Sequence, residues 1–252
     1  MEQRATAEPA ISKTIARFDP VSSRSPAECE RHYAEVHTPY ARRLLRDVDD
    51  VATYHTARAV AQYDITGGWR AKPAAWRFVV LRFPAGRGLR LPPQTREVIA
   101  QDHRNFLRDL RTCVVEERLL VDRRSGQTQH EHYLIELDRH PDADPGAAVR
   151  RVEGMVQGLL SEQSAAYGIR LVVLNMVQAE LAAAAIDEPG QRSLGQPLPQ
   201  TCKVAYLDFA FDHREWAEEW FARPAVRSLV QDPWFAVARG YRLEVESAID
   251  KR

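Results

Sequence analysis

Val51-Ala-Thr-Tyr-His-Thr-Ala-Arg58 aligns residue for residue with Leu171-Val-Val-Leu-Asn-Met-Val-Gln178 in the other half of the chain. Each segment has the length and composition of a strand. Three further matches keep the same order. Arg17-Phe18-Asp19 pairs with Glu136-Leu137-Asp138, Leu81-Arg82-Phe83 with Leu207-Asp208-Phe209, and Ile99-Ala-Gln-Asp102 with Leu229-Val-Gln-Asp232. A fixed order of matches over most of the chain points to an internal duplication.

The first half reads as strand 13–19, a helix from Ser25 to about Asp47, and strands 51–60 and 76–83. A helix over 94–112 and strand 113–121 complete it. Ser25 suits an N-cap, and Pro26 the first helical position. Gly67-Gly68-Trp69 and Pro73 mark a loop, and Pro92-Pro93 a break. The order βαββαβ is that of a ferredoxin-like unit. After a turn-rich linker at 123–128 it starts again, with strand 132–138, helix 145–166, strands 169–177 and 203–211, helix 214–230 and strand 237–245. The expected fold class is therefore α+β, with two tandem ferredoxin-like units at 12–124 and 129–250. Residues 1–11 and the irregular Asp187–Pro199 segment read as disordered.

Composition narrows the function classes. The 252 residues are 44% hydrophobic and 28% charged, with Lys+Arg and Asp+Glu balanced at 35 each. A balanced chain has no net field to recruit nucleic acid or an anionic membrane, and neither is expected as a partner. Cys29, Cys113 and Cys202 are widely spaced and odd in number, which fits a reducing compartment. The N-terminal stretch has no apolar core of the signal-peptide kind, and no run reaches membrane-span length. A cytoplasmic location is expected. The absence of GxGxxG, GK[ST] and GxSxG patterns argues against nucleotide cofactors and serine hydrolysis. His130-x-His132 has a metal-ligand spacing but no evident third ligand. Neither metal nor any other cofactor is expected.

The pattern Tyr33-x3-His37-x-Pro39, then Val51-x2-Tyr54, then Gln101-Asp102-x3-Phe106, resembles the EthD-like branch of the dimeric α+β barrel superfamily. That resemblance implies two units packing their sheets face to face into a barrel, here within one chain. The protein would then be a pseudo-dimeric monomer or a homodimer. Equivalent positions of the repeat could meet across a pseudo-twofold axis, Arg17 near Glu136 and Arg82 near Asp208, although solvated surface charges are the simpler reading. The resemblance also implies a ligand pocket between the helices and the outer face of a sheet.

Polar side chains on inward helix faces are the candidates for chemistry there. The first helix presents Tyr33, His37, Tyr40 and Leu44 at spacings of four, three and four, with a kink expected at Pro39. Ile99, His103, Phe106 and Leu110 repeat that spacing on the second helix. Tyr54 and His55 lie on opposite faces of their strand, so one of them faces the helices. Trp69 and Trp76 flank a loop that could cover a flat ligand. The second half has mostly aliphatic and tryptophan side chains at the equivalent positions, so the first half reads as the working half. His37 is the expected base, with Tyr33 as its partner or as an oxyanion donor. His55 or His103 would be a second acid or base. Tyr40, Tyr54, Trp69, Trp76 and Phe106 would line the substrate, and Asp102 reads as structural.

The chain also resembles polyketide cyclase-type α+β barrels, and that resemblance implies a cofactor-independent cyclase/aromatase or dehydratase acting on a small aromatic or polyketide-like substrate by enolisation. The resemblance leaves two other readings open, a cofactor-free monooxygenase forming quinones and a non-catalytic accessory binding protein.

Overall fold

The computed structural model describes residues 12–46, 48, 51–64, 68–70, 73–84, 91–124, 129–161, 167–182, 196–197, 201–230 and 233–250. The expectations for 1–11 and for most of 187–199 lie outside this set, as does the side chain of Trp69. The strands are β1 (Ser12–Pro20), β2 (Thr53–Asp64), β3 (Gly68–Arg70), β4 (Arg77–Phe83), β5 (Leu107–Asp122), β6 (Glu131–Arg139), β7 (Ile169–Ala182), β8 (Gln196–Pro197), β9 (Lys203–Phe211) and β10 (Phe235–Asp250). The helices are α1 (Pro26–His32), a π-helical turn (Tyr33–His37), α2 (Thr38–Arg46), α3 (Pro93–His103), α4 (Pro145–Ser161), α5 (Arg214–Ala222) and α6 (Pro224–Val230).

Eight strands run β10-β6-β9-β7-β5-β1-β4-β2, and β2 pairs back onto β10, so the sheet closes into an antiparallel barrel. Each half of the chain contributes four adjacent strands in the spatial order last, first, third, second. The β5–β7 and β10–β2 ladders join the halves, and closure leaves the eight-stranded ring without an open edge.

Strand alternation sorts the side chains into two environments. On β1, Ala16 and Phe18 point out beneath the first-half helices, where they meet Cys29, Tyr33, Leu45, Tyr54 and Phe106. Ile15 points into the barrel, among Phe78, Cys113, Leu134, Tyr206 and Tyr241 from both halves. A third and larger apolar cluster lies under α4 and α5, built on Val152, Met155, Leu159, Phe209, Trp220 and Phe221.

The barrel interior also holds charge. Lys13 bonds Glu117 at 2.5 Å and Asn175 at 2.6 Å. Glu136, fully buried, takes Lys203 at 2.5 Å, Tyr241 Oη at 2.9 Å and Arg17 at 3.3 Å. The Arg17–Glu136 pairing between the two halves of the chain therefore forms, at a largely buried position rather than a solvated one. Arg82 and Asp208 do not pair directly. Arg82 bonds Glu117, and Lys13 links Glu117 to Asp208.

Several elements differ from expectation, for local reasons. The long first helix is interrupted by the π turn, in which Thr38 N–H donates to Tyr33 O, five residues back. Pro39 has no N–H to bond Glu35 O, and its ring crowds that carbonyl, so the chain widens by one residue there. Its start is as expected, with Ser25 and Glu28 forming a reciprocal capping box. The helix expected over 94–112 stops at His103, and the chain enters β5 at Leu107. Phe106 O accepts from Val21 N–H at 2.9 Å, and the β-branched run after Leu110 pairs with β1. Leu110 is thus a strand residue. The single helix expected over 214–230 breaks at Arg223, extended at φ −63° and ψ 136°, because Pro224 disfavours helical backbone before it. At the turn into β7, Gly168 has φ 62°, and a Cβ there would sit 2.5 Å from the Trp216 ring. Among the described residues, no helix is long and apolar enough to cross a membrane.

Candidate active site

Three histidines and a carboxylate on the first-half helices gather with four large aromatic side chains against the outer sheet face. Asp102, in the last turn of α3, is the polar centre of this group. Its Oδ1 lies 2.7 Å from His32 Nε2 and its Oδ2 2.8 Å from His37 Nδ1. Burial disfavours the charged carboxyl. The bonds from the two histidines outweigh burial and hold Asp102 below the usual carboxylate range. An ionised Asp102 only accepts, so the ring nitrogens facing it carry the hydrogens. In the neutral ring of His37 this leaves the lone pair on Nε2.

Phe106 is the apolar hub and has no exposed surface. Its ring lies 4.8 Å from His37, 5.4 Å from His32 in a stack, 5.7 Å from His103 and 5.7 Å from Tyr33, centroid to centroid. His103 sits 5.2 Å from His37, and burial together with that neighbour pushes its pKa down to about 3, so the ring is neutral. Tyr33 packs 5.3 Å from His37 and edge-on to Trp76 at 5.6 Å. The Arg77 guanidinium covers the Tyr33 ring at 3.9 Å and is clamped between Glu30 and Glu246. Trp76 Nε1 donates to Glu30 at 3.0 Å. Tyr54 lies buried on the same side, and burial and the adjacent Tyr33 hold its phenol well above the usual range.

His37, Tyr33, His103, Tyr54, Trp76 and Phe106 therefore come together. Two other expected residues do not. His55 points into the barrel beside Val80, because the buried Tyr54 takes the helix side of β2. Tyr40 turns aside and is half-buried. The extra residue of the π turn advances the helix phase by one position, so Ala41 and Leu45 are buried where Tyr40 and Leu44 were expected. In the second half the corresponding helix face carries Val152, Met155, Val156 and Leu159. Sequence reasoning missed His32, Arg77, Glu30 and Glu246, and it gave Asp102 only a structural role. The quoted Gln101-Asp102 motif was the one available signal for Asp102. His130 Nδ1 lies 3.6 Å from Asp212, and no group of three metal-ligating side chains forms among the described residues.

No protein-family model and no curated protein matches the chain. Solved structures do match. An anthrone oxidase-like protein aligns over 96% of this chain and 94% of its own length, with TM-score 0.57 and 9% identity. A candidate monooxygenase from Fusobacterium nucleatum subsp. nucleatum aligns over 96% and 95%, with TM-score 0.54 and 9% identity. The chain has the fold of an α+β barrel protein. Identities this low speak for the fold alone.

Proposed function

We propose that this protein is an enzyme in which His37 Nε2 removes a proton from an activated C–H or O–H of a flat aromatic substrate. Asp102 orients the imidazole and stabilises the imidazolium that forms, as the carboxylate of a His–Asp pair does. The observation that carries the reading is the 2.8 Å bond between Asp102 and His37 Nδ1, set in a wall of aromatic rings. His103, held neutral beside His37, would donate a hydrogen bond to the developing oxyanion. Trp76 would flank the substrate, with Phe106, Tyr33 and Tyr54 packed behind it. On this reading the halves 12–124 and 129–250 are ferredoxin-like units fused in tandem, a view their shared strand order supports. The first half is the working one.

Of the reactions that begin with such a proton transfer, we favour a cofactor-free oxygenation of the quinone-forming type. A ring methylene loses a proton to His37, and the carbanion reduces and captures dioxygen as a hydroperoxide. Loss of the second hydrogen with water then leaves a carbonyl. One methylene and one dioxygen give one ketone and one water. The names of the two neighbours, an oxidase-like protein and a candidate monooxygenase, support dioxygen as the second reactant by fold analogy. Cyclisation or dehydration would use the same base and consume no dioxygen.

The test is an oxygen electrode with an anthrone-type substrate. Uptake equimolar with product, falling about 10²–10⁴-fold in His37→Ala with an unchanged circular dichroism spectrum, is the expected result. Turnover without oxygen uptake would select cyclase or dehydratase chemistry, and full activity in His37→Ala would remove the base. One observation favours a second reading. His37 is only 6% exposed, as a polar keystone of an accessory binding protein would be. Tight binding of the substrate without turnover would select that reading.

A further inference from the structure

We infer that His32 is a positioning residue: by holding Oδ1 of Asp102 it keeps Oδ2 on His37 Nδ1 and so fixes the tautomer of His37. Its functional meaning rests on the proton abstraction proposed above, but the tautomer itself is a property of the protein without substrate.

In a regular α-helix, residues five apart point about 140° away from each other. His32 and His37 are five apart, yet both reach the same carboxylate. The π turn at Tyr33–His37 makes this possible, because an i→i+5 turn brings the fifth residue back over the first. The widening forced by Pro39 thus aligns two imidazoles on one face. A local departure from helical geometry at the centre of a polar cluster is where a functional constraint is to be sought.

The carboxylate is the group that needs fixing. A lone carboxylate bonded to one imidazole can rotate about its terminal torsion, which is broad and roughly two-fold. Two ring donors at 2.7 and 2.8 Å, one on each oxygen, remove that freedom. His32 is itself held, stacked on Phe106 with ring planes 30° apart. The side chain of His32 is 17% exposed and that of His37 is 7% exposed, so His32 lies nearer the surface than the imidazole it helps to position. Metal-ligating histidines have their tautomer set in the same way, by the partner of the other ring nitrogen.

The test uses the full-length protein with ¹⁵N-labelled histidine, recorded at about pH 9, above the ordinary histidine range. His32→Phe keeps a ring to stack on Phe106 and lacks the donor. His32→Gln keeps a donor and lacks the ring. Wild type and His32→Gln are expected to show His37 with hydrogen on Nδ1 and the lone pair on Nε2. His32→Phe is expected to show a mixture of both tautomers, with kcat about tenfold lower and KM unchanged. A His37 signal in His32→Phe that matches wild type would overturn the inference, as would wild type with the hydrogen on Nε2. A purely structural His32 would lower the melting temperature in both variants and leave the tautomer alone, which also overturns it. If wild type turns over no substrate, the proposed function fails while the tautomer comparison still decides this inference.

Discussion

His103 stands ring to ring with His37 and is a poor candidate for the base proposed there, because burial and the neighbouring imidazole push its pKa to about 3. The sign of the resulting pH dependence follows directly. An unfolded histidine binds its proton below about 6.5, and the folded one waits until about 3. Between those values the unfolded state holds more protons, so stability falls as pH drops. Each pH unit in that window costs up to about 1.4 kcal/mol, or roughly 3 kcal/mol between pH 7 and pH 4. Glu117 and Glu136 act in the same direction. Burial opposes their ionisation, but Lys13 and Arg82 around the first, and Lys203 and Arg17 around the second, bring both to about 2. Their contribution is present above the unfolded value near 4.5 and is lost as pH falls toward 2. Replacing His103 by Phe leaves those carboxylates in place and removes only the histidine's share. Urea unfolding at pH 7 and pH 4 should therefore show the wild type losing roughly 3 kcal/mol more than His103→Phe over that interval. Equal losses would mean that His103 titrates normally in the folded protein.

The π turn decides which face of the following helix is buried. Cys29, Tyr33, His37, Ala41 and Leu45 are buried at a constant spacing of four, while Leu44 is only half-buried. Leu45→Ala should accordingly cost about 2–5 kcal/mol, as deletion of a packed core leucine does. Leu44→Ala should cost under about 1 kcal/mol. The reverse ranking in chemical denaturation would restore an uninterrupted helix. Here lies the limit of what periodicity could reveal. Spacings of four, three and four at Tyr33, His37, Tyr40 and Leu44 are valid helical contacts, and nothing in the pattern announces an inserted residue. Pro39 signalled a kink, but a kink and a π turn differ by one position of phase, enough to exchange Tyr40 for Ala41. The strands were easier to read. β9 begins and ends at Lys203 and Phe211 as expected, because its apolar run is bounded by polar residues. The end of α3 was harder, since Ile99, His103, Phe106 and Leu110 satisfy a helical period as well as a turn followed by a strand.

At the scale of the molecule, the α+β class was legible because strand-like and helix-like segments keep one order in both halves, and the closed ring of eight strands has the same spatial order in each half. The candidate site was legible only in part. Tyr33 and His37 stood out on a helix, whereas Asp102, Arg77, Glu30 and Glu246 gain meaning through contacts between distant segments that no local pattern encodes. The charged barrel interior had the same difficulty. Arg17 and Glu136 each alternate with apolar neighbours, so each fits a solvent-facing strand position as well as an inward one. Their pairing ties β1 of one half to β6 of the other, and the two members are not equivalent. Glu136 is fully buried and serves Arg17, Lys203 and Tyr241, whereas Arg17 also reaches Asp19 at 3.6 Å and Ala74 O at 3.3 Å. Removing the carboxylate charge leaves two cations facing a neutral group in a low-dielectric interior. Breaking a buried pair in that way costs about 3–5 kcal/mol. Replacing Arg17 by Met removes one of three partners of Glu136 and leaves Lys203 to neutralise it, so the loss should be about 1–2 kcal/mol. Urea denaturation of Glu136→Gln, Arg17→Met and the double variant measures both terms and their coupling. The expected order is Glu136→Gln well below Arg17→Met, with the double variant more stable than the sum of the single losses. Additive losses would mean that the two halves close the barrel through their strand ladders alone, with no energetic help from this pair.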